Sequence, residues 1–272
     1  MNNANPILIN WRKEQKVFDE NLSLLQKKLD KEAIHDLRVA IKKLRAYLEL
    51  YSQLNKVTDP VESGPQRLLY KTEELFDTIG RQRDVEICQE ILTSFKEETN
   101  YSYPQFTLYL QAVLKITKAW SNQEIHRYKN KEIKKIAFVL KQDNEIGDTG
   151  ELNQFIQSII RHSLGEIKSQ FKKPHLLRKK LKSVYYWINL VNDTSEYHPE
   201  LLHSILDDLG SWQDKEVALQ RIKHFRKDYL PKSFDEYNML KELEQYIDEK
   251  KSMLIKTAIN KTRKWIKTIP LS

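Results

Sequence analysis

The sequence predicts an all-α protein built of two similar halves, and three observations carry that expectation. Leu, Lys, Glu, Gln and Ile abound while the 272 residues hold only six Gly and eight Pro, a balance that favours long helices and few turns. No run of alternating apolar and polar residues is long enough for a strand. A basic amphipathic segment also occurs twice: HDLRVAIKKLRAYLELY at His35–Tyr51 returns as HLLRKKLKSVYYWINLV at His175–Val191, 140 positions later.

The elements follow in order. Ile7, Trp11, Phe18, Leu22, Leu25 and Leu29 recur at helical spacing and predict a first helix over about Ile7–Leu29. The His35 helix runs out near Ser52, before a loop carrying Pro60, Gly64 and Pro65. A third helix, about Gln66–Ile79, is expected to stop at Gly80 as a left-handed C′ residue, and Asp84 to cap a fourth running through Glu98. Pro104 opens another helical segment, with one long helix or two broken near Asn130 over Phe106–Gln142. The string DNEIGDTGE, around Gly147 and Gly150, has turn residues and no apolar periodicity, which places a boundary between a first repeat, 1–146, and a second, 147–272. The second half repeats the order. A helix over about Leu152–Phe171 comes first, then the His175 helix with Pro174 in its first turn, a short helix from Pro199 to Gly210, and another capped by Asp214 and ended by Pro231. A long basic helix spans Phe234–Ile269.

At ~100° per residue the repeated helix separates two kinds of chemistry. Leu37, Ile41, Leu44, Leu48 and Tyr51 form one stripe, and His35, Arg38, Lys42 and Arg45 another beside it. In the second copy Leu177, Leu181, Val184, Ile188 and Val191 keep the apolar offsets, flanked by His175, Arg178 and Lys182. A single basic stripe is usually a solvated face. The same residue types at the same offsets in two diverged halves point instead to shared anion binding. Ten residues rise ~15 Å, long enough to track an extended polyanion. Arg supplies a planar fork to phosphate oxygens and Lys a compact charge; His35 and His175 either donate to phosphate or bond backbone at the helix start.

Charge agrees without deciding: 46 Lys and Arg against 38 acidic residues leave a net +8 and a pI near 9.2. Cys88 is the single cysteine, so an intramolecular disulfide and a thiolate metal cluster are both excluded within one chain. No apolar stretch approaches the ~18 residues of a spanning helix and no secretory leader is evident, which predicts a soluble cytoplasmic protein with no membrane partner. Gly-rich phosphate loops, HExxH, Gly-x-Ser-x-Gly and paired proton-transfer carboxylates are missing, so no catalytic residue, metal site or cofactor is expected. GRQRD at Gly80–Asp84 and GSWQD at Gly210–Asp214 read as tight helix–helix connections, with Arg83 a candidate anion contact at a helix start and Gln213 its uncharged counterpart.

HDLRVAIKKLR at His35–Arg45, IGRQRD at Ile79–Asp84 and HLLRKKLK at His175–Lys182 resemble the signature of the CHAD domain, the conserved-histidine α-helical domain, over essentially the whole chain and in the same order. The resemblance implies two pseudo-symmetric four-helix bundles of long helices with a basic channel between them that binds inorganic polyphosphate, and association with polyphosphate granules. Many members are fused to a triphosphate-tunnel catalytic domain, whose alternating glutamate strand is absent from this sequence. By resemblance, His35, Arg38, Lys42, Lys43 and Arg45 match the first basic helix and Arg83 the arginine of the Gly-x-x-Arg-Asp turn. His175, Arg178, Lys179 and Lys182 match the second basic helix, and Tyr186 also fits. Ser183, Tyr185 and Gln213 stand where basic residues are common, which thins the second face. Lys28 and Lys168 share the 140-residue offset and extend the basic surface.

The expected function is a non-catalytic module for inorganic polyphosphate or another extended polyanion. A nucleic-acid-binding protein is the rival, although the basic faces carry few Asn or Gln side chains to read bases and no regular aromatic platform. A metal-dependent phosphohydrolase is third, for want of a metal site.

Overall fold

The computed structural model describes residues 5–54, 69–70, 72–129, 131–142 and 149–270, and among these no residue is in a strand. Nine α-helices are seen in this set: α1 Pro6–Lys27, α2 Lys31–Leu54, α3 Glu73–Thr99, α4 Pro104–Arg127, α5 Lys131–Gln142, α6 Thr149–Glu166, α7 Pro174–Ile188, α8 Pro199–Asp228 and α9 Asp235–Thr268. Short 3₁₀ turns, Ile167–Gln170 and Ser195–Tyr197, follow α6 and α7.

Local chemistry sets the starts. Asn5 Oδ1 accepts from the backbone N–H groups of Ile7 and Leu8 at 2.8 and 3.4 Å, with Pro6 at the first position of α1. Asp30 Oδ1 accepts from Ala33 N at 2.9 Å at the start of α2. Pro104, Pro174 and Pro199 open α4, α7 and α8. The start of α4 is capped from a distance: the backbone N–H groups of Gln105 and Phe106 donate to the buried Glu236 carboxylate on α9 at 2.9 and 2.8 Å.

Two expected breaks are not there. Helix α3 passes through Gly80 and Asp84, and α8 passes through Gly210 and Asp214, so neither glycine ends a helix and neither aspartate caps one. Tertiary packing supplies the reason: Leu75, Ile79, Val85 and Cys88 on α3, and Leu209, Trp212, Ala218 and Leu219 on α8, are buried on both sides of the supposed breaks and hold the chain helical throughout. The left-handed end of α3 belongs to Asn100, at φ 59°. The break near Asn130 is present, between α4 and α5. The expected loop with Pro60, Gly64 and Pro65, the expected helix start at Gln66 and the 146/147 boundary lie outside the described residues.

Two hydrophobic cores form. The larger joins α1, α2, α5, α6 and α7 with the start of α3, the start of α8 and the end of α9, around Trp11, Leu37, Ile41, Leu181, Trp187 and Trp265. The smaller is enclosed by Val85–Phe95 of α3, Tyr103–Leu110 of α4, Ala218–Phe225 of α8 and Leu240–Ile247 of α9. Both draw on residues from early and late in the chain. The two repeated helices touch directly: Trp187 Nε1 on α7 donates to the Ala46 carbonyl of α2 at 2.8 Å, and Ser183 Oγ to Glu49 Oε2 at 3.1 Å. Helices α3 and α8 also pack together, beside this pair.

Candidate anion-binding cleft

Where α2, α3, α7 and α8 meet, their inner faces leave a cleft of about 810 Å³. Leu37, Ile41 and Leu44 of α2, and Leu177, Leu181 and Val184 of α7, are buried in the core. The neighbouring stripe on each helix is thereby turned to the cleft: His35, Arg38, Lys42 and Lys43 from α2, Arg178 and Lys182 from α7, joined by Arg83 from α3. Six Lys and Arg side chains face three carboxylates, Asp84, Asp207 and Asp214.

The cations are held in different ways. Arg38 lies 4.0 Å over the Phe76 ring and donates from Nη1 to the Phe76 carbonyl at 2.5 Å. Its guanidinium crosses α3 where Gly80 leaves room: a Cβ there would stand 2.1 Å from Arg38 Nη1. Arg45 and Lys42 approach the same ring, at 4.7 and 5.7 Å. Lys43 Nζ pairs with the buried Glu14 at 2.8 Å, and Arg83 with Glu90 at 3.0 Å and Glu86 at 3.8 Å. Among the described residues no carboxylate lies within ion-pair distance of Lys42 or Lys182, and Arg178 Nε is buried without a hydrogen-bond partner.

Crowding of like charge in a partly desolvated space shows in the proton equilibria. Burial, then Lys182, Arg38 and Arg178, push the Lys42 ammonium down to about 6. Burial and Arg178 push Lys182 down to about 8. His35 is lowered chiefly by burial, against the pull of Asp36 and with the help of Lys42, Arg83 and Lys182. Asp84 and Asp214 are raised by burial, although Arg38 and Arg178 respectively oppose the shift. An anion entering the cleft would oppose the shifts of Lys42 and Lys182 and favour their charged forms.

The structure thus brings together seven of the residues singled out from sequence: His35, Arg38, Lys42, Lys43, Arg83, Arg178 and Lys182. The others stand outside its lining. Arg45 is turned to Phe76 and Glu73, 3.9 Å from the carboxylate. His175 packs edge-on against Trp212, ring centroids 4.7 Å apart. Lys28 and Lys179 are exposed, and Lys168 lines a separate hollow with Arg263 and Lys267. Phe76, Asp84 and Asp214 were not assigned to the site from sequence. Asp84 and Asp214 were visible as the ends of a shared Gly-x-x-x-Asp pattern, but a capping role accounted for it equally well.

Among the described residues, no three His, Cys, Asp or Glu side chains converge as metal ligands, and no helix is long and apolar enough to cross a membrane. No curated protein matches the sequence. The crystal structure of the CHAD domain from the plant Ricinus communis is similar in fold, with a TM-score of 0.67 at 14% identity over 95% of this chain and 90% of that one. The family model of the CHAD domain matches residues 12–223, and with that match over most of its length the chain belongs to the CHAD domain family.

Proposed function

We propose that the cleft binds inorganic polyphosphate and does not cleave it. The observation that carries this reading is the unpaired basic cluster: Lys42 and Lys182, from the two repeated helices, share one half-buried space with Arg38 and Arg178 and have no carboxylate at ion-pair distance among the described residues. Such an arrangement is costly when empty and is relieved by a ligand dense in negative charge. Phosphate oxygens suit the forks of Arg38 and Arg178, and a chain of phosphates engages several cations at once, with the second contact helped by the first. By that reading the protein works as a binding module wherever polyphosphate collects, granules included.

Titration across a salt series tests this. Long-chain polyphosphate should bind far more tightly than orthophosphate, and ahead of single-stranded RNA of matched charge, with affinity falling steeply as salt rises. Equal affinity for RNA would favour the nucleic-acid reading. Arg38→Glu and Arg178→Glu each remove one charge-assisted contact of about 1.5–3 kcal/mol, so each should weaken binding roughly 10- to 100-fold. The Arg38 change should cost more, because Tyr185, Ser183 and Gln213 leave the second face less charged. Circular dichroism and thermal melts establish that the variants fold.

A further inference from the structure

Lys42 differs from the other cations of the cleft. Lys43 is neutralised by Glu14, Arg83 by Glu86 and Glu90, and Arg38 is anchored to Phe76. The Lys42 amine has only like charge near at hand, Arg38 on its own helix and Lys182 and Arg178 on α7, with Asp214 on α8 the carboxylate whose field reaches it most. Asp84 on α3 faces Arg38 and Arg221 instead. On α8, Asp207 is paired with His203 at 3.0 Å. Held down to about 6, Lys42 is mostly a free amine at neutral pH, whereas an ordinary lysine is almost wholly protonated. A free amine is a nucleophile, and a lysine beside other cations is a recurrent way of making one. The surrounding guanidinium groups would draw in anionic reagents, and the cleft has ample room for a small one.

We infer that Lys42 is a covalent modification site, acylated by small acyl phosphates whose phosphate group docks on Arg38, Arg178 and Lys182. The amine nitrogen attacks the carbonyl carbon and a C–N bond forms. The C–O bond to phosphate then breaks, inorganic phosphate leaves with the electron pair, and the nitrogen gives up a proton to solvent or to the departing phosphate. The product is a neutral amide that fills part of the cleft, so acylation would lower its capacity for anions. This goes beyond polyphosphate binding and needs only that the cleft attract anions.

The test uses the whole chain with acetyl phosphate as the probe and peptide mapping by mass spectrometry as the readout. The free-amine fraction of an ordinary lysine at pH 7 is about 1 in 2,500, and lower basicity offsets part of the Lys42 advantage, so Lys42 should be acetylated at least ~10 times faster than exposed Lys28 and Lys179. Its rate should level off before pH 9, since a docked acyl phosphate raises Lys42 only part of the way back to an ordinary lysine, while theirs keep rising, and pyrophosphate should protect Lys42 alone. Lys42→Arg should remove that product and no other. A Lys42 rate equal to those of Lys28 and Lys179, one that climbs with theirs to pH 9, or one indifferent to pyrophosphate would overturn the inference. Pyrophosphate-sensitive acetylation in a protein that ignores polyphosphate would sink the binding proposal and leave this one standing. Tight polyphosphate binding with a sluggish Lys42 would do the reverse.

Discussion

Gly80 and Gly210 occupy corresponding places in the two halves, yet only the first has a neighbour that needs its missing side chain. A methyl at Gly80 would collide with Arg38 Nη1, whereas nothing comes within 4 Å of one at Gly210. Ala is about 1 kcal/mol better than Gly inside a helix, so Gly210→Ala, whose methyl meets no neighbour, should raise the thermal midpoint and disturb anion binding less than Gly80→Ala does. Gly80→Ala should gain helix propensity and lose affinity, because the Arg38 guanidinium must leave the Phe76 carbonyl; melts and titration on the same samples separate the two effects. Lys42 and Lys182 set a second expectation. Both are lowered in the empty cleft, and a bound anion raises them again, so complex formation should take up protons. Affinity should therefore rise as pH falls towards about 8 for Lys182 and towards about 6 for Lys42, and level off below, and calorimetry in buffers of different ionisation enthalpy should register the uptake. The stability sign follows from the same shift: Lys42 falls from 10.5 unfolded to about 6 folded, so the unfolded chain binds the extra proton and folding stability from this group rises with pH across that window. Helical spacing alone located the azimuth of Arg38, Lys42, Arg178 and Lys182 correctly. It had no means of showing that Glu14 on another helix would neutralise Lys43, or that His175 would stand edge-on against Trp212, outside the cleft lining.

At the level of elements, the long helices are joined by buried charge as well as by apolar contact. Arg226 on α8 meets Glu244 on α9 through Nε and Nη2, at 2.5 and 3.1 Å, with both residues buried and the guanidinium 4.8 Å over the Tyr237 ring. Glu244→Gln leaves that guanidinium without its countercharge and should destabilise the fold by about 3 kcal/mol in denaturant titration, and a paired replacement of both residues by apolar ones of similar size should recover most of it. Prolines announced helix starts reliably, since Pro104, Pro174 and Pro199 fix φ and need no donor at that position. Gly80, Asp84, Gly210 and Asp214 misled, because a glycine inside a continuous helix, which at Gly80 makes room for Arg38, and an aspartate that faces an arginine look, in sequence, like the end of one helix and the start of the next.

Across the whole molecule, the continuity of α3 and α8 changes what a ligand can reach. Each helix forms a wall of the cleft and then runs on as a side of the smaller core, Val85–Phe95 in one case and Ala218–Phe225 in the other. The two cores therefore share rigid members, and opening the smaller one strains the helices that shape the cleft. Occupancy of the cleft acts on this shared frame as a brace: a ligand that favours the native state should stabilise both cores together. Amide hydrogen exchange along Leu219–Phe225 and Leu240–Ile247, which line no part of the cleft, should slow on polyphosphate binding along with that of α2 and α7. Slowing confined to α2 and α7 would show the far ends of the struts fraying on their own. If the ends move together, the polyanion holds shut a part of the protein that it never touches.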